Sequence, residues 1–340
     1  MIDSLILIQI HRLIVTFLLK LFSVISQIKV GNIIMPLKFD LNEITESIEL
    51  DDCYEQLVES KFDSSDDESF QTVAPILKKL NNNKTFLPEI LMAELEKHCD
   101  VQKQTNKYTP QVIMLKPASK GINFFMRANI WLAKNDPLLT TSGEKSFFYH
   151  VPHDHNFSFL TSGYTGPGYA SDYYEYDYYD VVGYPGEPVD LRFIERKNLT
   201  EGEVMLYRAY KDVHNQLPAD ELSVSLNIMP STMFAHLRPQ YVFDETCSKI
   251  ANSTVTSNSS VEPILHLIAE MRDDKSREFM ERYAVTTCVE EDRFRAVKAL
   301  VSVESDADKK SELLESLGIK SKSKLVAELS RQHQSVLGLV

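Results

Sequence analysis

Three of the nine histidines fall within six residues, at His150, His153 and His155. His153 and His155 are two apart, with apolar and aromatic residues on either side. In an extended chain side chains alternate, so this spacing turns both imidazoles to one face. Two imidazoles sharing an interior face are the beginning of a metal site. His150 differs in parity and misses that face. Asp154 lies between the two ligands and should face outward, so it is not counted as a ligand. His214, downstream of the strand-like run ending at Tyr210, supplies a third imidazole.

A carboxylate is also within reach. The run Ser162–Tyr169 holds three glycines and a proline, the residues a reversal needs. Beyond it, Tyr173–Tyr179 reads as an aromatic strand. A reversal centred near residue 165 places His155 opposite Glu175 in an antiparallel pair, which makes Glu175 the fourth candidate ligand. A register slip of one residue would flip that face. Eight tyrosines lie between Tyr164 and Tyr184. An aromatic strand face serves packing as readily as a substrate pocket; Tyr164 and Tyr176 are the candidate substrate contacts. Arg208, on the strand feeding His214, could clamp a substrate carboxylate or pair with a nearby acid. Imidazoles with one carboxylate and open positions suit Fe(II), and also Mn, Ni or Zn.

The elements that must carry these residues are strand-like. Gln111–Lys116, Ile122–Leu132, Leu191–Arg196, Val204–Tyr210 and Leu222–Met229 show strand patterning. This arrangement resembles the cupin superfamily. His153, His155 and Gly166 match its first motif approximately, and Gly202 with His214 its second. The family's Glu position falls at Phe159 or Leu160, and its Pro-x-Gly is replaced by Arg208–Tyr210. The resemblance covers residues 111–245. It implies an α+β chain built on a double-stranded β-helix, the cupin jelly-roll barrel, and homodimers are common among such barrels.

Around that segment the chain divides further. Residues 1–34 are strongly apolar, interrupted by Gln9, His11, Arg12 and Lys20. They read as a mis-assigned start before Met35, or as an anchor or signal. Residues 35–110 read as helical, with Pro88 at a helix start. Residues 246–262 form a polar linker. Residues 263–340 carry four apolar stripes at helical spacing, starting with Ile264, Leu265, Leu267, Ile268 and Met271, and Gly318 sits where a helix C-cap is expected. This tail resembles a short HEAT-type array, and a plain helical bundle fits the same pattern.

Composition narrows the function. A net charge of −13 without a basic block argues against nucleic-acid binding. The four cysteines are far apart and form no C-x-x-C pair, as expected of free thiols in a reducing compartment. The expectation is a cytoplasmic, metal-dependent cupin-type oxidoreductase, anchored to a membrane only if residues 5–34 are an anchor. His153, His155, His214 and Glu175 would hold Fe(II) in a mononuclear dioxygenase or hydroxylase acting on a small molecule or peptide, with 2-oxoglutarate a candidate co-substrate. The rival is a non-enzymatic sensor barrel whose helical tail docks a protein partner.

Overall fold

The computed structural model describes residues 37–109, 111–231, 238–254 and 260–339. The apolar segment 5–34 and His236 lie outside the described residues. Among the described residues no helix is long and apolar enough to cross a membrane.

The chain mixes helices with antiparallel sheets. A short strand, β1 (Leu37–Phe39), precedes four helices: α1 (Leu50–Glu59), α2 (Asp67–Asn82), α3 (Phe86–Glu96) and α4 (Asp100–Thr105). Strands β2 (Val112–Lys116) and β3 (Phe124–Trp131) and the short helix α5 (Pro137–Ser142) lead to the histidine segment. Then come β4 (Phe159–Thr165), β5 (Ala170–Glu175), β6 (Arg192–Asn198), β7 (Val204–Tyr207), β8 (Asp212–Gln216), β9 (Ser223–Pro230), β10 (Gln240–Phe243) and β11 (Ile250–Thr254). The chain closes with α6 (Val261–Glu270), α7 (Asp274–Thr286), α8 (Glu290–Val303), α9 (Ala307–Leu313), a π-helical turn at Leu314–Ile319, and α10 (Lys324–Val336).

Six strands form one sheet in the order β1-β7-β4-β9-β3-β2. Its faces divide by alternation. Along β3, Phe124, Met126 and Ala128 join the core under the N-terminal helices, while Phe125 and Trp131 join a second, aromatic core. Helix α2 presents Phe70, Val73, Ala74 and Leu77, at spacings of three and four, to the first core. Its N-terminus is capped by Asp66, whose side chain accepts from the Glu68 amide. Buried Asn81 ties this helix to β4, donating from Nδ2 to the Gly163 carbonyl at 2.6 Å and the Ser162 hydroxyl at 2.8 Å. Asn81→Ala strands those partners, so an expected loss of about 2 kcal/mol should appear as a lower urea midpoint with unchanged slope.

The opposing sheet holds β6-β5-β8, and β10 pairs with β11. One residue joins the two groups: His153 bridges His214 of β8 on one side and Val242 of β10 on the other. The aromatic core collects Phe159, Met205 and Tyr207 from the first sheet and Tyr173 from the second, with Tyr149 and Tyr169. The Tyr173 and Tyr207 hydroxyls meet at 3.1 Å across it.

Four expectations need correction here. First, β4 and β5 do not form a hairpin. β4 pairs with β7 and β9, and β5 with β6 and β8. The intervening glycines turn the chain from one sheet to the other. Gly168 has φ of +80°, and a Cβ there would overlap the Leu199 carbonyl. Second, the polar stretch after residue 246 contains a strand, since Ile250–Thr254 pairs with β10. Third, the first apolar stripe of the tail is split. Leu265 and Ala269 are buried in the helical core, whereas Ile264, Leu267 and Met271 are exposed. Fourth, Gly318 lies in the π-helical turn, where a Cβ would overlap the Ser330 side chain; close approach, rather than a left-handed cap, is what glycine permits there. All four cysteines are free.

Candidate metal centre

Main-chain pairing brings the first two imidazoles together. The His153 amide donates to the His214 carbonyl at 3.1 Å, and the His214 amide returns a bond to His153 at 3.0 Å. That reciprocal exchange sets the two residues directly opposite each other. Two residues on, the His155 carbonyl accepts from the Tyr210 amide at 2.8 Å. His155 Nε2 then lies 3.0 Å from His214 Nε2, which is 3.1 Å from His153 Nε2. One ligand atom from each of the three residues falls within 4.8 Å of the others.

Aromatic rings wall this cluster. Phe159 packs against His155 at 4.9 Å and Tyr207 against His214 at 4.6 Å, while Phe148 lies 5.8 Å from His153. His214 is 2% exposed, and His153 and His155 keep partly open edges. Burial pushes all three imidazoles below their ordinary pKa of 6.5. The neighbouring rings push His155 and His214 further down, the charge of Arg127 adds to this at His155, and the Val151 carbonyl partly opposes it at His153. Neutral imidazoles with available lone pairs are what a divalent ion requires.

The outer nitrogens decide the tautomers. His153 Nδ1 lies 2.7 Å from the Val151 carbonyl, which can only accept. The proton therefore sits on Nδ1, and Nε2 presents its lone pair to the cluster. The Gln216 amide nitrogen stands 3.3 Å from both His214 Nδ1 and His214 Nε2, while its oxygen is buried without a partner. Exchanging the two amide positions would give an Nδ1 proton of His214 an acceptor and relieve that orphaned oxygen. Gln240 stands 3.0 Å from His155 Nδ1. Both glutamines escaped the sequence reading. Parity could have found Gln216, which is two residues past His214 and so shares its face.

Protons compete with a metal for these lone pairs. Because burial holds the folded pKa values below 6.5, half-protonation is reached only at a pH below that value. Protein loaded with Co(II) is expected to keep its visible absorption down to pH 6.5 and lose it in more acidic buffer. Release beginning at neutral pH would contradict this environment.

The remaining candidates sit elsewhere. Glu175 pairs in register with Asp212 and Arg192, not with His155. Its two carboxylate oxygens face Arg192 at 2.6 Å and Arg208 at 2.8 Å. The absent hairpin is the reason it does not join the imidazoles. Arg208 is committed to Glu175 and to Asp212, the latter at 3.1 Å. Tyr164 faces the helical side of its sheet, packs on Phe86, and donates its hydroxyl to the Asn83 carbonyl at 2.9 Å. Tyr176 is buried, with its hydroxyl on Asp154 at 2.6 Å. Asp154 does point away from the imidazoles, but into protein rather than water. It is fully buried and also accepts from the Tyr241 amide, because β10 and its aromatics cover that side. His150 is exposed, 3.5 Å from Glu144.

No family model matches the chain, and no curated protein matches it. Among solved structures, the chain is similar to a prolyl 4-hydroxylase from Phytophthora capsici at 10% identity, covering 86% of this chain and 84% of that one. The TM-score is 0.22, too low to be evidence of a shared fold.

Proposed function

We propose that His153, His155 and His214 hold one divalent transition metal, most simply Fe(II), and that the protein is a metal-dependent oxygenase acting on a small molecule or peptide. The observation that carries this is the convergence of three largely buried, neutral imidazoles on one point. For metal–nitrogen bonds of about 2.1 Å, nitrogens spaced like these correspond to bond angles near ~90°. Three protein ligands leave further positions of such an ion open. Among the described residues no carboxylate joins the three imidazoles. The ligand set is therefore read as three histidines, and Glu175 is withdrawn from it.

We read the frame as a double-stranded β-helix. Beginning at β3, successive strands lie in the first sheet, the second (residue 153), the first (β4), the second twice (β5, β6), the first (β7), the second (β8) and the first (β9). That alternation is what a jelly roll requires.

A bound Fe(II) would supply activation of dioxygen at its open positions. The chain itself would fix the rings through Val151, Gln216 and Gln240 and keep water from the buried side with Phe159 and Tyr207. Metal analysis after Fe(II) supplementation, followed by oxygen uptake with and without 2-oxoglutarate over a substrate panel, tests the reading. It fails if the supplemented protein holds only trace metal. Stoichiometric metal with no oxygen uptake under any condition would favour a ligand-binding barrel instead.

A further inference from the structure

The aromatic side of the first sheet carries one cation that the metal site does not use. Alternation along β3 turns Phe125, Arg127, Asn129 and Trp131 inward. Arg127 pairs in register with Asn227 of β9, which pairs in turn with Thr161 of β4. These three make a polar row across an otherwise aromatic face. Asn227 Nδ2 donates to the Thr161 hydroxyl at 2.8 Å.

Arg127 is unlike the other inward-facing arginines. Arg208 is shared between Glu175 and Asp212, and Arg295 between Glu291 and Asp292. Among the described residues no carboxylate forms an ion pair with Arg127. Its guanidinium lies over the Tyr108 ring at 4.8 Å, and its Nε is sealed from solvent without a hydrogen-bond partner. Burial disfavours its charged form. Arg127 is partly covered rather than fully buried, but its Nε is left without an acceptor, and arginine in a protein does not shed its charge. The carbonyl oxygens of Asn129 and Asn227, on the same inner face, are also buried without donors. A forked donor with two unfilled acceptors beside it describes a ligand carrying both an anion and hydrogen-bond donors.

We propose that Arg127 binds the carboxylate of a small hydroxy or amino acid on this inner face, with Asn227 and Asn129 accepting from its hydroxyl or amino group. Calling that acid the substrate rests on the metal-centre reading; its binding does not. Malate and serine bind the metal-free protein, and their amides, malamide and serinamide, bind far more weakly.

Calorimetric titration of chelator-treated full-length protein tests this. At least one acid should bind saturably, and Arg127→Gln should weaken it tenfold or more. Arg127→Lys should fall between, since it keeps the charge and loses the fork. Equal affinity in wild type and Arg127→Gln overturns the proposal, as does failure of both acids to bind wild type. If Arg127→Gln does not fold, the comparison of Arg127→Lys with wild type decides, and unchanged affinity there overturns it. Because no metal is present, a failed metal analysis leaves this result standing, and failure here leaves the metal analysis intact.

Discussion

Replacing His214 by alanine is expected to reduce bound metal from about one ion per chain to traces, an affinity loss above about 100-fold. His214 is the hub of the cluster, with its Nε2 at 3.0 Å and 3.1 Å from the other two. Without it, the site keeps two imidazoles and no third protein ligand among the described residues. Equilibrium dialysis with metal analysis measures the change directly. Gln216→Ala makes a graded control: it removes a group beside His214 without removing a ligand, so a smaller loss of about 10–100-fold is expected. There is a bland rival, in which the three rings simply hydrogen-bond to one another in the core. It predicts that wild type itself holds no metal and that His214→Ala alters only stability. Retention of wild-type stoichiometry by His214→Ala would remove the metal centre as drawn.

How far the sequence could reach is decided by which distances are local. His153 and His155 share a face because an extended chain alternates, and that held although neither residue belongs to a long strand. The third ligand required a contact across 61 residues, and only its place after a strand pattern pointed to it. Glu175 failed because its position depended on a turn. Three glycines and a proline fit a hairpin and an inter-sheet corner equally well, and only the partners of β4 and β5 distinguish them. Asp154 failed for a different reason. Alternation correctly turned it away from the imidazoles, but no local pattern shows that Tyr176 and β10 cover the far side. Arg127 was legible in principle, as a lone charge amid the apolar residues of β3. Its lack of a carboxylate partner is a tertiary fact that no spacing encodes.

Replacing Arg208 should cost more stability than any nearby surface charge, because of what it leaves behind. Arg208 bonds Glu175 at 2.8 Å and Asp212 at 3.1 Å, and all three side chains are largely buried. The Arg208 amide also donates to Asp212 at 2.7 Å. Even with this partner, burial raises the Asp212 pKa to about 7, and the neighbouring Glu175 adds to the rise while Arg208 opposes it. Arg208→Met keeps much of the volume and strands two adjacent carboxylates. The exposed Arg192 and Lys211 can relieve Glu175 only partly, screened as they are by water. A loss of about 3–5 kcal/mol is expected, read as a lower urea midpoint. Losing Arg208 pushes the Asp212 pKa up further, so its charge is stranded only in alkaline buffer; there, adding Asp212→Asn should make the double variant more stable than Arg208→Met alone. A double variant no better than the single one would mean that the arginine acts through its packing rather than its charge.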